Sequence, residues 1–253
     1  MSSEERRPLA PIWCFAILIF CLAALYVPML VMAAGAFRTA DGWGLDAFGS
    51  VLSNSYWMDA LANSLWVAIF SAIGSTLLGL LAALAGSGVF LGSMLALAMV
   101  LPEIVFALIL LTWFAFLGFD LGLVTVILAH ITFSVSFSYL IIRSRFEKLD
   151  PLLFEAAADL GAGGLGRLFS VTLPLLKPAL ISSFFIAFLL SFDDFLISFF
   201  VNGVGTDTLP MKLYASMKMG MTSELNALAT IMVLISALCI LGISWIRLKT
   251  AQN

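Results

Sequence analysis

Charged residues are scarce in this chain. Lysine, arginine, aspartate and glutamate together make up 11% of its 253 residues, whereas soluble globular domains carry about 25%. The hydrophobic share is 62% and the mean hydropathy is +1.13. These values exclude an ordinary soluble domain and are typical of a protein whose helices cross a membrane several times. Because the sequence has no basic face, it also excludes a nucleic-acid-binding protein.

Residue types that bind metals or act as catalysts are also scarce. His130 is the one histidine, and Cys14, Cys21 and Cys239 lie inside apolar runs. Their spacing matches no metal site, so we interpret all four as packing residues, with His130 hydrogen-bonded between helices. An intramembrane enzyme would need a nucleophile or metal ligands near His130, and the spacing identifies none. We therefore predict a non-catalytic chain without a bound metal.

Long apolar runs divide the chain into six predicted transmembrane helices, each of about 20 residues or more. We predict an all-α integral membrane protein. The first run is expected to be a retained helix, because it is longer than the core of a signal peptide. Gly86-Ser87-Gly88 is expected to form a turn, since glycine weakens a helix. The predicted spans are 11–34, 61–85, 89–117, 123–142, 179–200 and 225–246.

Basic residues lie mostly on one side of these spans. Six spans place both termini on the same side, and the positive-inside rule assigns the more basic side to the cytoplasm. We therefore predict a multi-pass protein of the bacterial inner membrane with both termini, and the loop 143–178, in the cytoplasm. The cytoplasmic basic residues are Arg6, Arg7, Arg143, Arg145, Lys148, Arg167, Lys177, Arg247 and Lys249, and the external ones are Arg38, Lys212 and Lys218.

The predicted cytoplasmic loop is the longest polar interruption of the chain. Asp150-Pro151 has the pattern of a helix N-cap followed by proline in the first turn, and Gly161 stands where a glycine ends a helix. A second short helix is expected at 165–172. Pro174 and Pro178 follow it and should prevent the helix from continuing smoothly into the fifth span. This pattern alone leaves open whether the helices bind a partner or only lie on the membrane surface.

The same loop resembles the cytoplasmic loop of ATP-binding-cassette (ABC) importer permeases. The family pattern is Glu-Ala-Ala, three residues, Gly, nine residues, an aliphatic residue, one residue, and Leu-Pro. This chain has Glu155-Ala-Ala157, Gly161 and Val171-Thr-Leu-Pro174. The resemblance implies the type I importer permease fold, with six transmembrane helices and cytoplasmic coupling helices that dock on an ATPase. It assigns the coupling role to Glu155, Ala156, Ala157, Gly161 and Pro174.

The resemblance also implies several partners. A second permease subunit would complete the passage as a heterodimer, and an external solute-binding protein would deliver the substrate. Two copies of a cytoplasmic ATPase would use ATP and Mg²⁺. This chain lacks the phosphate-binding pattern Gly-x-x-x-x-Gly-Lys-Ser/Thr and does not by itself hydrolyse ATP in the usual way. We therefore expect no cofactor on this chain. Membrane lipid is expected to contact the outer surface of its transmembrane helices.

Three acidic residues lie inside the predicted spans, where charge is costly and by default indicates function. Glu103 follows Pro102, while Asp193 and Asp194 are adjacent in the fifth span. Neighbouring helix positions point about 100° apart, so we expect one aspartate to face a passage and the other to cap or bond a neighbouring helix. The residues alone leave open both a passage for cations and a structural role in which all three acids are satisfied between helices.

Segments around these acids resemble the spermidine/putrescine branch of the same family. The resemblance covers about 60–229 and implies the second permease subunit of a polyamine importer. Other small amines, or amino-acid-like solutes, are the alternative substrates. The segments are Leu101-Pro-Glu-Ile-Val105, Ser191-Phe-Asp-Asp-Phe195, Phe199-Phe-Val-Asn-Gly203 and Thr208-Leu-Pro210. The predicted pathway residues are Glu103, Phe192, Asp193, Asp194 and Phe195, whose aromatic rings would add cation–π attraction.

An ion-coupled secondary transporter is the alternative from a different class. It would use the same acids as proton or sodium sites and would need no ATPase. Such transporters are usually built from internal repeats. No convincing repeat relates the two halves of this sequence, which favours the ATP-driven importer.

Overall fold

The computed structural model describes residues 12–39, 42–86 and 89–251, and most of them are helical. The basic pair Arg6-Arg7, the first residue of the predicted first span and Ser87-Gly88 of the predicted turn lie outside the described residues. The described elements confirm the all-α class. They are α1 Ile12–Ala36, β1 Arg38–Thr39, β2 Gly42–Trp43, α2 Asp46–Ser53, α3 Ser55–Leu84, α4 Val89–Val100, α5 Glu103–Leu117, α6 Leu123–Phe146, α7 Pro151–Asp159, α8 Gly164–Arg167, α9 Leu173–Phe192, α10 Leu196–Val201, α11 Leu209–Met217 and α12 Ser223–Ala251, with β1 and β2 antiparallel.

Five stretches of helix are long and apolar enough to cross a membrane. Each overlaps one of the predicted spans. The fifth begins at Gly164, inside the predicted loop 143–178, and the predicted span 179–200 is interrupted after Phe192. A sixth crossing results if α4 and α5 together count as one span. The five are Trp13–Ala36, Ser55–Leu84, Leu123–Phe146, Gly164–Phe192 and Ser223–Ser244.

The predicted third span, 89–117, is not one straight helix. It consists of α4 and α5, which are bent by 108° relative to each other. Pro102 at the junction has an extended backbone (ψ 132°) and caps α5 with its carbonyl, which accepts from the N–H of Phe106 at 3.0 Å. Because proline has no N–H and its ring disfavours helix at the preceding residue, the chain bends here. The bend leaves Glu103 exposed in the first turn of α5.

The predicted break at Pro174 and Pro178 is wrong, because the helix continues through both prolines. A π-helical turn, Leu168–Thr172, joins α8 to α9, so that one helical stretch runs from Gly164 to Phe192. In this turn the N–H of Leu173 donates to the carbonyl of Leu168, five residues back. Pro174 is the second residue of α9, directly after this turn, so the change of register coincides with the position that lacks an N–H.

Small residues let α3 pack closely against its neighbours. The buried positions of α3 recur every three or four residues, which keeps them on one face of the helix. At Gly79 an added Cβ would lie 2.6 Å from the Cβ of Ser138 on α6, so only glycine fits. Such small-residue contacts are typical of helices that pack inside membranes. The buried small residues are Ala60, Ser64, Ala68, Ser71, Ala72, Ser75, Gly79 and Ala83.

Candidate functional site

The predicted N-terminal and C-terminal signals of the loop helix are both present in α7. The Asp150 carboxylate accepts from the N–H of Leu152 at 2.9 Å, and Pro151 occupies the first turn. At the other end Gly161 has φ +82°, its N–H donates to the carbonyl of Ala158 at 2.8 Å, and the N–H of Ala162 donates to that of Ala157 at 3.0 Å. These two bonds form a Schellman motif, which confirms the predicted glycine stop.

Helix α7 presents an uncovered surface. None of its residues is buried, and Leu160 directly after it is 89% exposed. Its attachment to the fold includes Phe154, whose ring centroid lies 6.1 Å from that of Phe146 at the end of α6. Of the predicted coupling residues, Glu155 and Ala156 are exposed on α7, Ala157 is half-buried there, and Gly161 is exposed directly after it. Pro174 is exposed in the first turn of α9. The arrangement offers a short helix of small and apolar residues to another molecule.

The acids of the predicted spans meet at a cavity. It has a volume of about 370 Å³ and lies where α5, α6 and the end of α9 come together. The bend at Pro102 brings Glu103 to its wall, and the break between α9 and α10 brings Asp193 there. Its lining residues are Glu103, Phe133, Leu189, Leu190, Asp193, Asp194, Phe195 and Leu196.

Asp193 and Asp194 have different surroundings. Asp193 is exposed, and its Oδ1 accepts from the hydroxyl of Ser236 on α12 at 3.4 Å. Asp194 is nearly buried: its Oδ2 accepts from the N–H of Ser198 at 2.8 Å and lies 3.1 Å from Nε2 of His130. Its Oδ1 accepts from the N–H of Ile197 at 3.3 Å. Both aspartates line the cavity, but Asp193 is the exposed one, while Asp194 is held by N–H groups of α10 and by His130 of α6.

His130 is at the centre of a buried polar network. Its side chain is 2% exposed, as expected for a packing histidine. Nδ1 lies 2.6 Å from Oγ of Ser191, and Nε2 lies 3.2 Å from Oγ of Ser198. Sequence reasoning missed this network because Asp194 is 64 residues away along the chain. One signal was available, since an aspartate before a short apolar run has the pattern of an N-cap.

The two predicted aromatic residues also differ. Phe192 has no exposed surface and stacks on Phe188, with ring centroids 5.5 Å apart. It does not line the cavity. Phe195 does, and its ring centroid lies 4.5 Å from that of Tyr214 on α11. The structure thus brings Glu103, Asp193, Asp194 and Phe195 together and leaves Phe192 in the core of the single chain.

The cavity suits a small organic cation. Among the described residues, no lysine or arginine forms an ion pair with Glu103 or Asp193, so both carboxylates remain available to a ligand. Phe133 and Phe195 add aromatic surface, which attracts ammonium groups. In the part of the chain that the structure describes, no three His, Cys, Asp or Glu residues are grouped for a metal ion.

Solved structures of ABC transporters share this fold. A bacterial ABC transporter involved in the import of the acidic polysaccharide alginate matches 95% of this chain and 94% of its own, with a TM-score of 0.69 at 15% identity. The MetNI methionine ABC transporter in an inward-facing conformation matches 77% of this chain and 98% of its own, with a TM-score of 0.60 at 15% identity. These similarities confirm the predicted type I importer permease fold.

Curated relatives are similar over nearly the whole length. The putrescine transport system permease protein PotI of Escherichia coli K12 is 36% identical over 95% of this chain and 92% of its own. The spermidine/putrescine transport system permease protein PotC is 34% identical in the same organism, over 91% and 92%, and 35% identical in Haemophilus influenzae, over 91% and 93%. Residues 75–248 also match the family described as binding-protein-dependent transport system inner membrane component. The chain is thus a multi-pass membrane protein that belongs to this family of transport permeases.

Proposed function

We propose that this chain is a permease subunit of an ATP-driven importer and forms half of a membrane passage for polyamines. The observation that carries the proposal is the cavity between α5 and α9, where Glu103 and Asp193 face open space without a basic partner among the described residues. The ammonium groups of a linear polycation would pair with these two carboxylates. The 36% identity to a putrescine permease supports the same substrate class.

The cytoplasmic surface of α7 supports coupling to an ATPase. Glu155, Ala156, Ala157, Gly161 and Pro174 are the proposed docking residues. In the free chain the apolar side chains around them are exposed, and a folded partner would cover them. The Schellman motif fixes the end of α7, so that a force applied there reaches the helix that begins at Gly164 rather than being lost in a flexible loop.

One helical stretch joins the proposed docking surface to the cavity. It runs from Gly164 to Phe192 and ends one residue before Asp193. At 1.5 Å per residue its length is roughly 40 Å, about that of a membrane with its headgroups. Movement of α7 by an ATPase would therefore displace Asp193 directly. Alternating access needs such a rigid connection between two states.

The proposed assembly contains further proteins. A second permease subunit would supply the other half of the passage, and two ATPase subunits would bind ATP and Mg²⁺. A solute-binding protein would deliver the polyamine from outside, as in the alginate transporter that was solved with an alginate-bound periplasmic protein. In this arrangement the termini and α7 are cytoplasmic, and this chain carries no catalytic group of its own.

Uptake in cells tests the proposal. Radiolabelled putrescine and spermidine would be supplied to cells that lack the chain, with and without its restoration. We expect restoration to recover uptake, and Asp193→Asn to lower it roughly tenfold, because a hydrogen bond to a charged group is lost. The matched control is Asp120→Asn, which neutralises an exposed acid between α5 and α6. If neither polyamine depends on the chain, the substrate proposal is wrong, and other small amines become the substrates to test.

A further inference from the structure

The His130 side chain of α6 reaches both sides of the break between α9 and α10. α9 ends at Phe192 and α10 begins at Leu196. The His130 ring of α6 contacts Ser191 in the last turn of α9 through Nδ1, and contacts Asp194 and Ser198 through Nε2. One ring therefore holds both sides of the break at a fixed place on α6.

The polar groups of the network satisfy one another in a definite pattern. If the ring carries its hydrogen on Nε2, it donates to Asp194 and accepts the hydroxyl hydrogen of Ser191 at Nδ1. The Asp194 carboxylate then accepts from the ring and from the N–H groups of Ile197 and Ser198. All of this occurs in a buried region, where such bonds are strong and an unpaired partner is costly.

The cavity wall is built from the two segments that His130 joins. Asp193 is the first residue after α9, while Phe195 and Leu196 begin the segment that leads into α10. Neither Asp193 nor Phe195 has a hydrogen bond to His130, so the ring acts on them only through the backbone that it holds. Their separation on the wall depends on the angle of the break, which the ring fixes.

We propose that His130 is a positioning residue for the cavity: its ring fixes the end of α9 and the start of α10 on α6, and so sets the placement of Asp193 relative to Phe195. This inference rests on the proposed function, because the residues that His130 positions are those proposed to contact a diamine in the cavity. His130 itself does not touch the substrate. The Nε2 contact to Asp194 carries the role, since it attaches the non-helical segment itself to α6.

A pair of substitutions separates the two sides of the ring. A glutamine at 130 places an amide N–H near the position of Nε2, whereas an asparagine reaches only the position of Nδ1. We expect His130→Gln to retain putrescine uptake within about threefold, and His130→Asn to lose roughly tenfold, because only the latter breaks a bond to a charged group. Uptake is measured per assembled transporter, after purification with the ATPase and second permease. Thr132→Val, on an exposed part of α6, is the matched control.

A double-mutant comparison distinguishes positioning from a general loss of structure. If His130 acts through Asp193, then His130→Asn should have little further effect on uptake in the Asp193→Asn background, since coupled residues are not additive. Equal activity of the glutamine and asparagine variants would overturn the proposal. Fully additive effects of His130→Asn and Asp193→Asn on uptake would also overturn it.

A labelling experiment tests the positioning role without any substrate. Asp193→Cys would be introduced after Cys14, Cys21 and Cys239 are changed to serine, and its reaction with a positively charged, membrane-impermeant methanethiosulfonate would be timed. We expect His130→Asn to change the labelling rate at least about threefold, because this variant loses the bond to Asp194. His130→Gln keeps that bond and should leave the rate unchanged. If wild-type transporter imports no polyamine, the substrate proposal fails while this labelling still decides the role of His130. Equal rates in all three backgrounds would refute it.

Discussion

A guanidinium N–H of Arg143 donates to the backbone carbonyl of Ala83 at 3.0 Å, and so ties the end of α6 to the end of α3. The last carbonyls of a helix have no partner within it, so this bond satisfies a group that α3 leaves free. The same side chain donates from Nε to Glu147 at 2.7 Å, but Glu147 is largely exposed. The two bonds of Arg143 should therefore differ in their contribution to stability.

Substitution of each partner measures this difference. We expect Arg143→Met to lower the free energy of unfolding by about 1–3 kcal/mol, because a helix-end carbonyl loses a charged donor. We expect Glu147→Gln to cost only a few tenths of a kcal/mol, about the value of an exposed ion pair. Thermal unfolding of the purified protein in detergent compares the two. Equal losses would show that the ion pair, rather than the bond to Ala83, holds the helices together.

Gly79 should not tolerate even one added methyl group. An alanine Cβ there would lie 2.6 Å from the Cβ of Ser138 and 2.8 Å from the backbone nitrogen of Tyr139. Because backbone cannot move aside as a flexible side chain does, α3 and α6 would have to separate. We expect Gly79→Ala to destabilise the protein by about 1–3 kcal/mol. Thermal unfolding measures this loss.

Gly49→Ala is the matched control for Gly79. Gly49 lies within α2, and an added Cβ there meets no atom within 4 Å. Since alanine is the better helix former by about 0.5–1 kcal/mol, this variant should be neutral or slightly more stable. A loss at Gly49 as large as that at Gly79 would contradict the packing explanation.

Local sequence signals predicted the loop helix α7 more accurately than the packed transmembrane helices. The start at Asp150-Pro151 and the stop at Gly161 depend on bonds within a few residues, so the sequence is sufficient to place them. Proline signals were less informative. Pro174 and Pro178 were expected to interrupt the helix, but the π-helical turn changes the register before them, and that turn has no clear sequence pattern.

The roles of the adjacent aspartates could be predicted only as a pair. Their spacing indicates that they point apart, yet nothing in the local sequence says which one is exposed and which one is held between helices. The answer depends on His130 and Ser236, which approach from α6 and α12. Likewise Phe192 was predicted to line the passage because of its neighbours in sequence, while its burial depends on Phe188 and the packing of α9.

Asp194 should stabilise the fold mainly by capping α10, and less by its negative charge. Its two carboxylate oxygens accept from the N–H groups of Ile197 and Ser198 in the first turn of α10. Asparagine also caps helices well, whereas alanine does not, at a cost of about 1–2 kcal/mol. We therefore expect Asp194→Ala to lower the melting temperature clearly and Asp194→Asn to lower it much less. If both variants were equally unstable, the negative charge rather than the cap would be the important feature.

Charge reversal at Glu155 tests the proposed docking surface. Glu155 is exposed on α7 and forms no ion pair with any other described residue, so Glu155→Lys should leave folding intact. Where a partner surface meets this helix, a reversed charge is unfavourable, and we expect several-fold less ATPase to co-purify. Asp120→Lys makes the same charge change between α5 and α6 and should have no effect. Normal co-purification of the Glu155 variant would remove this residue from the docking surface.

Gly161 should be required for its backbone conformation. With φ at +82° it lies in the left-handed region, where a side chain costs about 1–2 kcal/mol, and a β-branched one is particularly strained. Gly161→Val should therefore loosen the end of α7 and reduce ATPase co-purification, while the amount of protein in the membrane stays normal. Gly163→Val is the matched control, because Gly163 has φ −65° and an added Cβ there meets no atom within 4 Å. If the two valine variants bind the ATPase equally well, the Schellman motif is not what holds α7 in its docking position.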